Sequence, residues 1–271
     1  GVLGGSVALR NYGTIGTLTN TGTILSNYFG ILSNSGTNSA IGSIINSGLI
    51  KGPQAIYVYN YSTNDNSLNI TNSGTIAGNI YNYSAGPITI AGGSDHQGTL
   101  TGYSDGTSGY IFTNGGSLTF SSGSLLLNDH LYASGGNILN DAASVQVNTP
   151  IIINGNYHQN AGAALIFGVS DLATATGDSS TDSGYGNLTV NGSATLDQGT
   201  HVSLVRTGNT YQFAQGQRYV VINANSADTQ YNANALNYQA VGYNGGVKGT
   251  EYNDGTHSAL VVSLVEAPVV V

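Results

Sequence analysis

The chain has 271 residues, a formal net charge of -8, and only five Lys and Arg residues together. So few cations cannot neutralise a phosphate backbone, which argues against nucleic-acid binding. Charged residues make up 7% of the chain, yet hydrophobic residues still make up 39%. The composition is therefore not that of a disordered protein. The absence of Cys excludes disulfides and thiolate metal sites.

Gly, Asn, Ser and Thr replace the missing charge, and this disfavours helices. Gly costs about 1 kcal/mol per helical position relative to Ala, and the small polar side chains compete for backbone hydrogen bonds. The apolar residues are mainly Ile, Leu, Val and Tyr, most of which favour strands. The sequence therefore predicts an all-β fold. No stretch approaches the about 20 apolar residues of a membrane helix, so we expect no membrane-spanning segment.

The first half of the chain repeats a degenerate Asn-x-Gly-Thr-Ile motif. Its clearest copies are at 11–15, 20–24, 34–37, 46–50 and 72–76, with looser copies at 98–102, 116–120 and 123–127. Asn-x-Gly predicts a turn, because both residues accept positive φ at low cost. Thr-Ile predicts the start of a strand with its hydroxyl on one side and its aliphatic group on the other.

Stacking of these repeats predicts a right-handed parallel β-helix with about 20 to 25 residues per rung. In such a coil each Ile stacks on the Ile of the next rung, and Asn and Thr form polar ladders at the corners and on the outer face. A β-sandwich is the competing structure, but it favours longer strands and hairpin turns than this half of the chain contains.

Three tyrosines alternate along one predicted strand: Tyr57, Tyr59 and Tyr61. The alternation places their rings on one face, and Tyr81 and Tyr83 can extend that face on the next rung. An outward face predicts an adhesive surface, since Tyr supplies contact area with few rotatable bonds. The alternative is an aromatic ladder packed inside the fold or under a loop.

The pattern changes near residue 170. Residues 171–184 are polar, acidic and small, which predicts an exposed loop, and better alternating strands follow. We therefore expect two regions, a β-helix over 1–184 and a capping region of antiparallel strands over 185–271. A solenoid needs a cap because its last rung otherwise exposes apolar surface and unpaired backbone groups.

Candidates for catalytic chemistry are few. Asp95-His96 and Asp129-His130 are the best acid–base pairs, each predicted at a loop, but no pair of carboxylates recurs at rung spacing as glycoside hydrolysis requires. Gly177-Asp178-Ser179-Ser180 resembles part of a serine-nucleophile motif, but Thr181 follows it and it is better explained as a loop. The sequence therefore does not favour an enzyme.

Metal sites are equally weak in the sequence. Asp171, Asp178 and Asp182 match no known Ca²⁺-loop spacing, so weak incidental binding is the most that we expect. The five His residues are scattered without a zinc-binding pair. We expect no cofactor and no metal.

Two features resemble the passenger domains of bacterial autotransporters. One is the run of Asn-Ser-Gly-Thr-Ile copies over 11–76, and the other is the segment 185–196 followed by a strand-rich tail to Glu266, which is similar to the C-terminal autochaperone region of those passengers. The resemblance implies a longer precursor with a signal peptide and an outer-membrane β-barrel. It also implies a location at the surface of a Gram-negative bacterium or secretion from it.

The resemblance and the long uncharged surface together predict adhesion or self-association. The expected partner is a host surface protein, a glycan or another copy of the chain. The alternative is a stalk that serves as spacer and folding nucleus of a larger passenger. A β-helix enzyme that acts on polysaccharides is a distant third possibility.

Overall fold

A computed structural model describes residues 1–34, 39–59 and 67–267 of the chain, and nearly all of its regular structure is β. The all-β prediction is confirmed. The described residues contain a single short 3-10 helix, η1 (Ala233–Ala235). The first fifteen strands are β1 (Val2–Leu3), β2 (Val7–Asn11), β3 (Thr14–Asn20), β4 (Thr23–Leu25), β5 (Phe29–Asn34), β6 (Ala40–Asn46), β7 (Leu49–Tyr59), β8 (Leu68–Asn72), β9 (Thr75–Asn82), β10 (Ile88–Gly92), β11 (Gly98–Thr101), β12 (Gly109–Asn114), β13 (Leu118–Ser122), β14 (Ser124–Leu127) and β15 (Asp129–Asn140).

The later strands belong mainly to a second part of the chain. They are β16 (Ser144–Val147), β17 (Pro150–Gln159), β18 (Ala164–Thr174), β19 (Ser183–Tyr185), β20 (Asn187–Val190), β21 (Ala194–Leu196), β22 (His201–Arg206), β23 (Arg218–Asn225), β24 (Asn237–Ala240), β25 (Gly246–Asn253) and β26 (His257–Val265). Two compact units result, a first unit at 1–144 and a second unit at 145–271.

The first unit is a coil in which each turn contributes to three stacks of parallel strands. Stack A contains β1, β4, the start of β7, the start of β9, β11 and β14. Stack B contains β2, β5, the ends of β7 and β9, β12 and the start of β15. Stack C contains β3, β6, β8, β10, β13 and the end of β15. The parallel β-helix is confirmed, because a sandwich joins neighbouring strands by antiparallel hairpins.

The core of the first unit is a set of aliphatic ladders. In stack A, Ile24 pairs with Ile50 and Ile50 with Ile76, and each is at most 3% exposed. Stack B carries a parallel ladder through Ile56 and Ile80, both fully buried. The predicted stacking of one motif Ile on the next is confirmed for Ile24, Ile50 and Ile76, whereas Ile15 pairs with Ile41 outside the motif. Mutual burial of these aliphatic side chains stabilises the coil.

Asparagine side chains form a second ladder, inside a corner rather than on the outer face. Asn20 donates from Nδ2 to Asn46 Oδ1, and Asn46 donates in the same way to Asn72 Oδ1, both at 2.8 Å. Asn46 and Asn72 are fully buried. Each amide is 26 residues from the next, so the rung here is slightly longer than predicted. Asn20 and Asn46 also donate to the backbone carbonyls of Leu49 and Thr75.

The motif glycines have a different role from the predicted one. None of Gly22, Gly48 and Gly74 has a positive φ, so the expectation of a positive-φ turn is wrong for these described copies. Instead, a Cβ on Gly48 would overlap the carbonyl oxygen of Gly22, and one on Gly74 would overlap that of Gly48. Glycine is needed because successive backbones approach closely at this corner.

The irregular spacing of the motif also has a structural cause. Asn11 ends a strand of stack B, whereas Asn20 ends a strand of stack C, so the two copies occupy different corners of one turn. The bonding is alike at both corners, since Asn11 Nδ2 donates to Ser33 Oγ and to the Ala40 carbonyl. The copy at 34–37 lies mostly outside the described residues.

The second unit continues parallel pairing and ends in antiparallel strands. Ile151 pairs with Leu188 and Leu188 with Ile222, all in parallel strands. Antiparallel pairing joins β23 to β26 and β26 to β25, and β18 to β19. The antiparallel cap is therefore present at β25 and β26. However, β20 to β22 pair in parallel, contrary to the prediction for this segment. Parallel strands thus extend on both sides of the predicted boundary at 184/185.

A glycine-to-alanine pair tests the close approach of the backbones. Gly48→Ala should destabilise the protein by about 2 to 3 kcal/mol, because the new methyl group meets backbone atoms that cannot rotate away. Gly13→Ala is the matched control, since the same motif position there has no heavy atom within 4 Å of a built Cβ. Thermal unfolding followed by circular dichroism distinguishes the two variants. Equal midpoints for both would refute the proposed role of Gly48.

A second pair tests the aliphatic ladder. Ile76→Asp should lower the stability by several kcal/mol, because it buries a carboxylate among apolar side chains. Thr75→Asp, one residue earlier and partly exposed, should change the unfolding midpoint little. If the Ile76 variant unfolded at the wild-type temperature, the side chain could not lie in the core.

Candidate functional site

The tyrosine patch predicted at residues 57–61 is part of a longer row of rings in the first unit. The backbone register places Tyr57 opposite Tyr81, Tyr81 opposite Phe112, and Phe112 opposite Tyr132. We name the whole set the aromatic ladder; it comprises Phe29, Tyr57, Tyr59, Tyr81, Tyr83, Phe112 and Tyr132. Tyr61 lies outside the described residues.

The aromatic ladder lies on the outside of stack B. Ile56, Ile80 and Ile111 precede its rings along the strands and are fully buried. Successive side chains of a strand point to opposite faces, so the rings point away from the core. The rings are half-buried, and Tyr132 is 39% exposed. The alternative of rings packed inside the coil is therefore wrong for Tyr57 and Tyr81.

Contacts between neighbouring rings keep the aromatic ladder continuous. The ring centroids are 5.9 Å apart for Tyr57 and Tyr81, and also for Tyr81 and Phe112. Phe112 and Tyr132 stack at 5.2 Å. These separations lie in the favourable range for aromatic pairs, which adds about 0.5 to 1.5 kcal/mol per pair beyond burial. Burial raises the pKa of Tyr81, with smaller contributions from neighbouring tyrosines, so the phenol stays neutral.

Asp129 and His130 do not form an acid–base pair. Asp129 is the first residue of β15 rather than a loop residue, and it points inward with Leu131, whereas His130 points outward beside Tyr110. Burial raises the pKa of Asp129 to about 7, although its Oδ1 accepts a 2.8 Å hydrogen bond from the Gly109 amide. Its Oδ2 has no partner among the described residues. The two side chains therefore lie on opposite faces of one strand.

The other candidate pair, Asp95-His96, lies in the exposed loop between β10 and β11. This placement agrees with the predicted loop. Within the described ranges, no three His, Cys, Asp or Glu side chains cluster as metal ligands. Neither side chain is joined to a second carboxylate there, so the loop offers no assembled acid–base site.

The acidic side chains at 171, 178 and 182 are each bound to nearby donors rather than to a shared centre. Asp171 accepts backbone hydrogen bonds from Asn209, Thr210 and Tyr211, and these bonds lower its pKa. Asp182 accepts from the amides of Thr176 and Gly177 at 2.9 Å. Residues 171–174 belong to strand β18, so the predicted loop begins later than expected.

Asp178 has the third local arrangement, in the motif Gly177-Asp178-Ser179-Ser180. Its Oδ1 accepts from both the amide and the hydroxyl of Ser180, which lower its pKa. These bonds close a tight turn and do not activate a nucleophile. Ser179 lines the same groove as Asp254 and His257. However, Asp254 accepts from the backbone amide of His257, and no described hydrogen bond joins Ser179 to the His257 ring. A catalytic triad requires that bond.

Some interacting residues were not found from the sequence. His158 Nε2 lies 3.0 Å from Asp197 Oδ1, and both side chains are almost half exposed. An exposed pair of this kind contributes about 0 to 1 kcal/mol. Phe29, Phe112 and Tyr132 were also missed as members of the aromatic ladder. The available signal was an aromatic residue directly after an inward aliphatic residue, as in Ile111-Phe112 and Leu131-Tyr132.

No family model matches the chain, and no curated protein matches it at a significant level. Across the described part of the chain, no helix has the length and apolar character needed to cross a membrane.

Asp129 generates a prediction about pH. Because its folded-state pKa of about 7 exceeds the ordinary 3.8, folding favours the protonated carboxyl. The buried Asp129 carboxyl contributes its full share of the folding stability below about pH 4, where it is protonated. This contribution is lost as the pH rises towards 7. Asp129→Asn should match the wild type near pH 3 and exceed its stability at pH 8 by about 4 kcal/mol, at about 1.4 kcal/mol per unit of pKa.

Thermal unfolding at a series of pH values measures this difference. Asp95→Asn is the control, because the side chain of Asp95 is exposed. Parallel pH profiles for wild type and Asp129→Asn would contradict a carboxyl that is neutralised by burial.

Proposed function

We propose that the protein is an adhesive passenger of the autotransporter type, and that the aromatic ladder is its contact surface. The observation that carries the proposal is a row of seven partly exposed rings along the outside of a parallel coil. A regular coil alone needs no such row, because its core ladders are complete without it. Aromatic residues are enriched at contact sites between proteins.

The composition of the ladder supports contact with another protein surface. Its seven members are neutral Phe and Tyr side chains, so another copy of this chain meets no like charge within the row despite the net charge of -8. Tyr rings contribute large contact area at low entropic cost, and their hydroxyls can donate to a partner's backbone. Neighbouring rings also restrain one another, which reduces the ordering cost of binding.

The resemblance to autotransporter passengers gives this surface its proposed setting at the outside of a Gram-negative cell. There the ladder would join two cells or join a cell to a host surface protein. A non-binding stalk is the competing function, and it predicts that the outer rings contribute to stability alone.

The experiment displays the chain on a non-adherent bacterial cell and measures cell aggregation and attachment to extracellular matrix. We expect the displayed protein to promote at least one of these. The triple variant Tyr57→Thr, Tyr81→Thr and Phe112→Thr should reduce it by about tenfold or more, since central aromatic residues dominate protein contacts. Thr retains strand propensity.

Tyr12→Thr is the matched control, because this ring is 61% exposed but lies outside the ladder. Surface amounts and thermal unfolding of all variants must be compared in parallel. A folded, displayed protein that neither aggregates cells nor attaches them would eliminate the adhesive function. Adhesion that persists in the folded triple variant would leave the adhesive function but remove the ladder as its site.

A further inference from the structure

A groove in the second unit lies on the outer side of four adjoining strands. The register aligns Thr189 of β20 with Asn223 of β23, Asn223 with Ala259 of β26, and Ala259 with Tyr252 of β25. Strands are about 4.8 Å apart, so Asn223 and Tyr252 stand about 10 Å apart across the small Ala259. The methyl group of Ala259 therefore forms the floor of the groove, between the amide of Asn223 and the phenol ring of Tyr252.

The groove is large enough for a small ligand. Its main part has a volume of about 440 Å³ and is lined by Ser179, Asn223, Tyr252, Asn253, Asp254, His257 and Ala259. Two smaller hollows, of about 200 and 180 Å³, adjoin it through Asn223 and add Asn187, Thr189 and Asn191. Binding pockets for small molecules commonly have volumes of about 300 to 1,000 Å³.

Contacts around the groove hold its walls in place. The Arg218 guanidinium lies 5.3 Å from the centre of the Tyr252 ring and donates a 2.9 Å hydrogen bond to its hydroxyl. Arg218 therefore orients the ring and leaves it 50% exposed. At the hairpin end, Asp254 Oδ1 accepts from the amides of Thr256 and His257. These bonds lower the pKa of Asp254 and keep it ionised.

Polar groups in the groove remain free to bind. The side chain of Asn223 makes no hydrogen bond within the described ranges, and it is half-buried at the centre of the groove. The second carboxylate oxygen of Asp254 is not used by the two turn amides. An amide and a carboxylate can pair with adjacent hydroxyl groups through two hydrogen bonds each.

We infer that this groove binds a neutral oligosaccharide. A sugar ring presents a C–H face that packs on an aromatic ring and a rim of hydroxyls that pair with amides and carboxylates. The groove supplies both, with Tyr252 for the face, Asn223 in the same row for the rim, and Asp254 at the hairpin end for the rim as well. Asp254 is ionised, no Lys or Arg is among the lining residues of the three hollows, and the Arg218 guanidinium beside them is already bound to the Tyr252 hydroxyl. This charge balance disfavours sulfated or acidic sugars. The inference goes beyond the proposed function, because the groove shares no residue with the aromatic ladder.

Saturation-transfer NMR tests the inference with neutral trisaccharides of glucose, galactose, mannose and N-acetylglucosamine, and with a sulfated trisaccharide for comparison. We expect binding of at least one neutral sugar with a Kd of about 1 mM, and none of the sulfated one. Tyr252→Ala and Asn223→Ala should each weaken binding by about tenfold, whereas Tyr252→Phe should keep it within about threefold because the ring remains.

Tyr110→Ala is the matched control, since this ring is 48% exposed in the first unit. If Tyr252→Ala unfolds, Asn223→Ala and Tyr252→Phe still test the groove. Failure of every neutral trisaccharide to bind the folded wild type overturns the inference, and so does binding that survives both alanine variants. The aromatic-ladder triple variant should bind sugar as the wild type does, so loss of sugar binding and loss of adhesion can be distinguished.

Discussion

The repeated parallel register is the constraint on which the first unit depends. Each turn must return the chain so that Asn lies over Asn and Ile over Ile, because a buried amide needs the next amide as its partner. A shift of one residue would place Asn46 opposite Thr71 or Ser73 instead of Asn72 and break the Asn46–Asn72 bond. A buried polar atom left unpaired costs about 1 to 3 kcal/mol. The shift would also turn every inward aliphatic side chain outward. The polar corner and the apolar core thus specify the same register.

Glycine allows the close spacing between successive backbones that this register requires. Gly22, Gly48 and Gly74 follow the ladder amides by two residues, and each allows the backbone of the preceding turn to approach. The short approach lets the amide of one turn donate to the carbonyl of the next, as Asn46 does to Thr75. The motif thus combines a local bend, in which Asn11 and Asn20 accept from the amides of Gly13 and Gly22, with contacts between turns. The positive-φ interpretation failed because a single sequence displays local preferences and not the distance to the next turn.

The sequence was sufficient to predict what depends on neighbouring residues. Alternation placed Tyr57 and Tyr59 on one face, and the Thr-Ile step gave the inward direction of Ile76, which the structure confirms. The sequence was not sufficient to predict pairings between strands, because these depend on the number of residues in each turn of the coil. Asn11 and Asn20 look equivalent in sequence yet occupy different corners. Phe112 lies 31 residues after its partner Tyr81, so insertions between them hide the ladder.

The groove in the second unit was even harder to predict from the sequence than the aromatic ladder. Thr189 and Asn223 meet through parallel strands, whereas Asn223 and Tyr252 share a row only through two antiparallel pairings. No constant period connects such residues, so sequence reading assigned 185–271 to a cap and attached no site to it. A parallel coil repeats like side chains and produces a linear surface, the aromatic ladder. A change to antiparallel pairing brings unlike side chains together. The groove depends on this, because it combines an aromatic ring, an amide and a carboxylate.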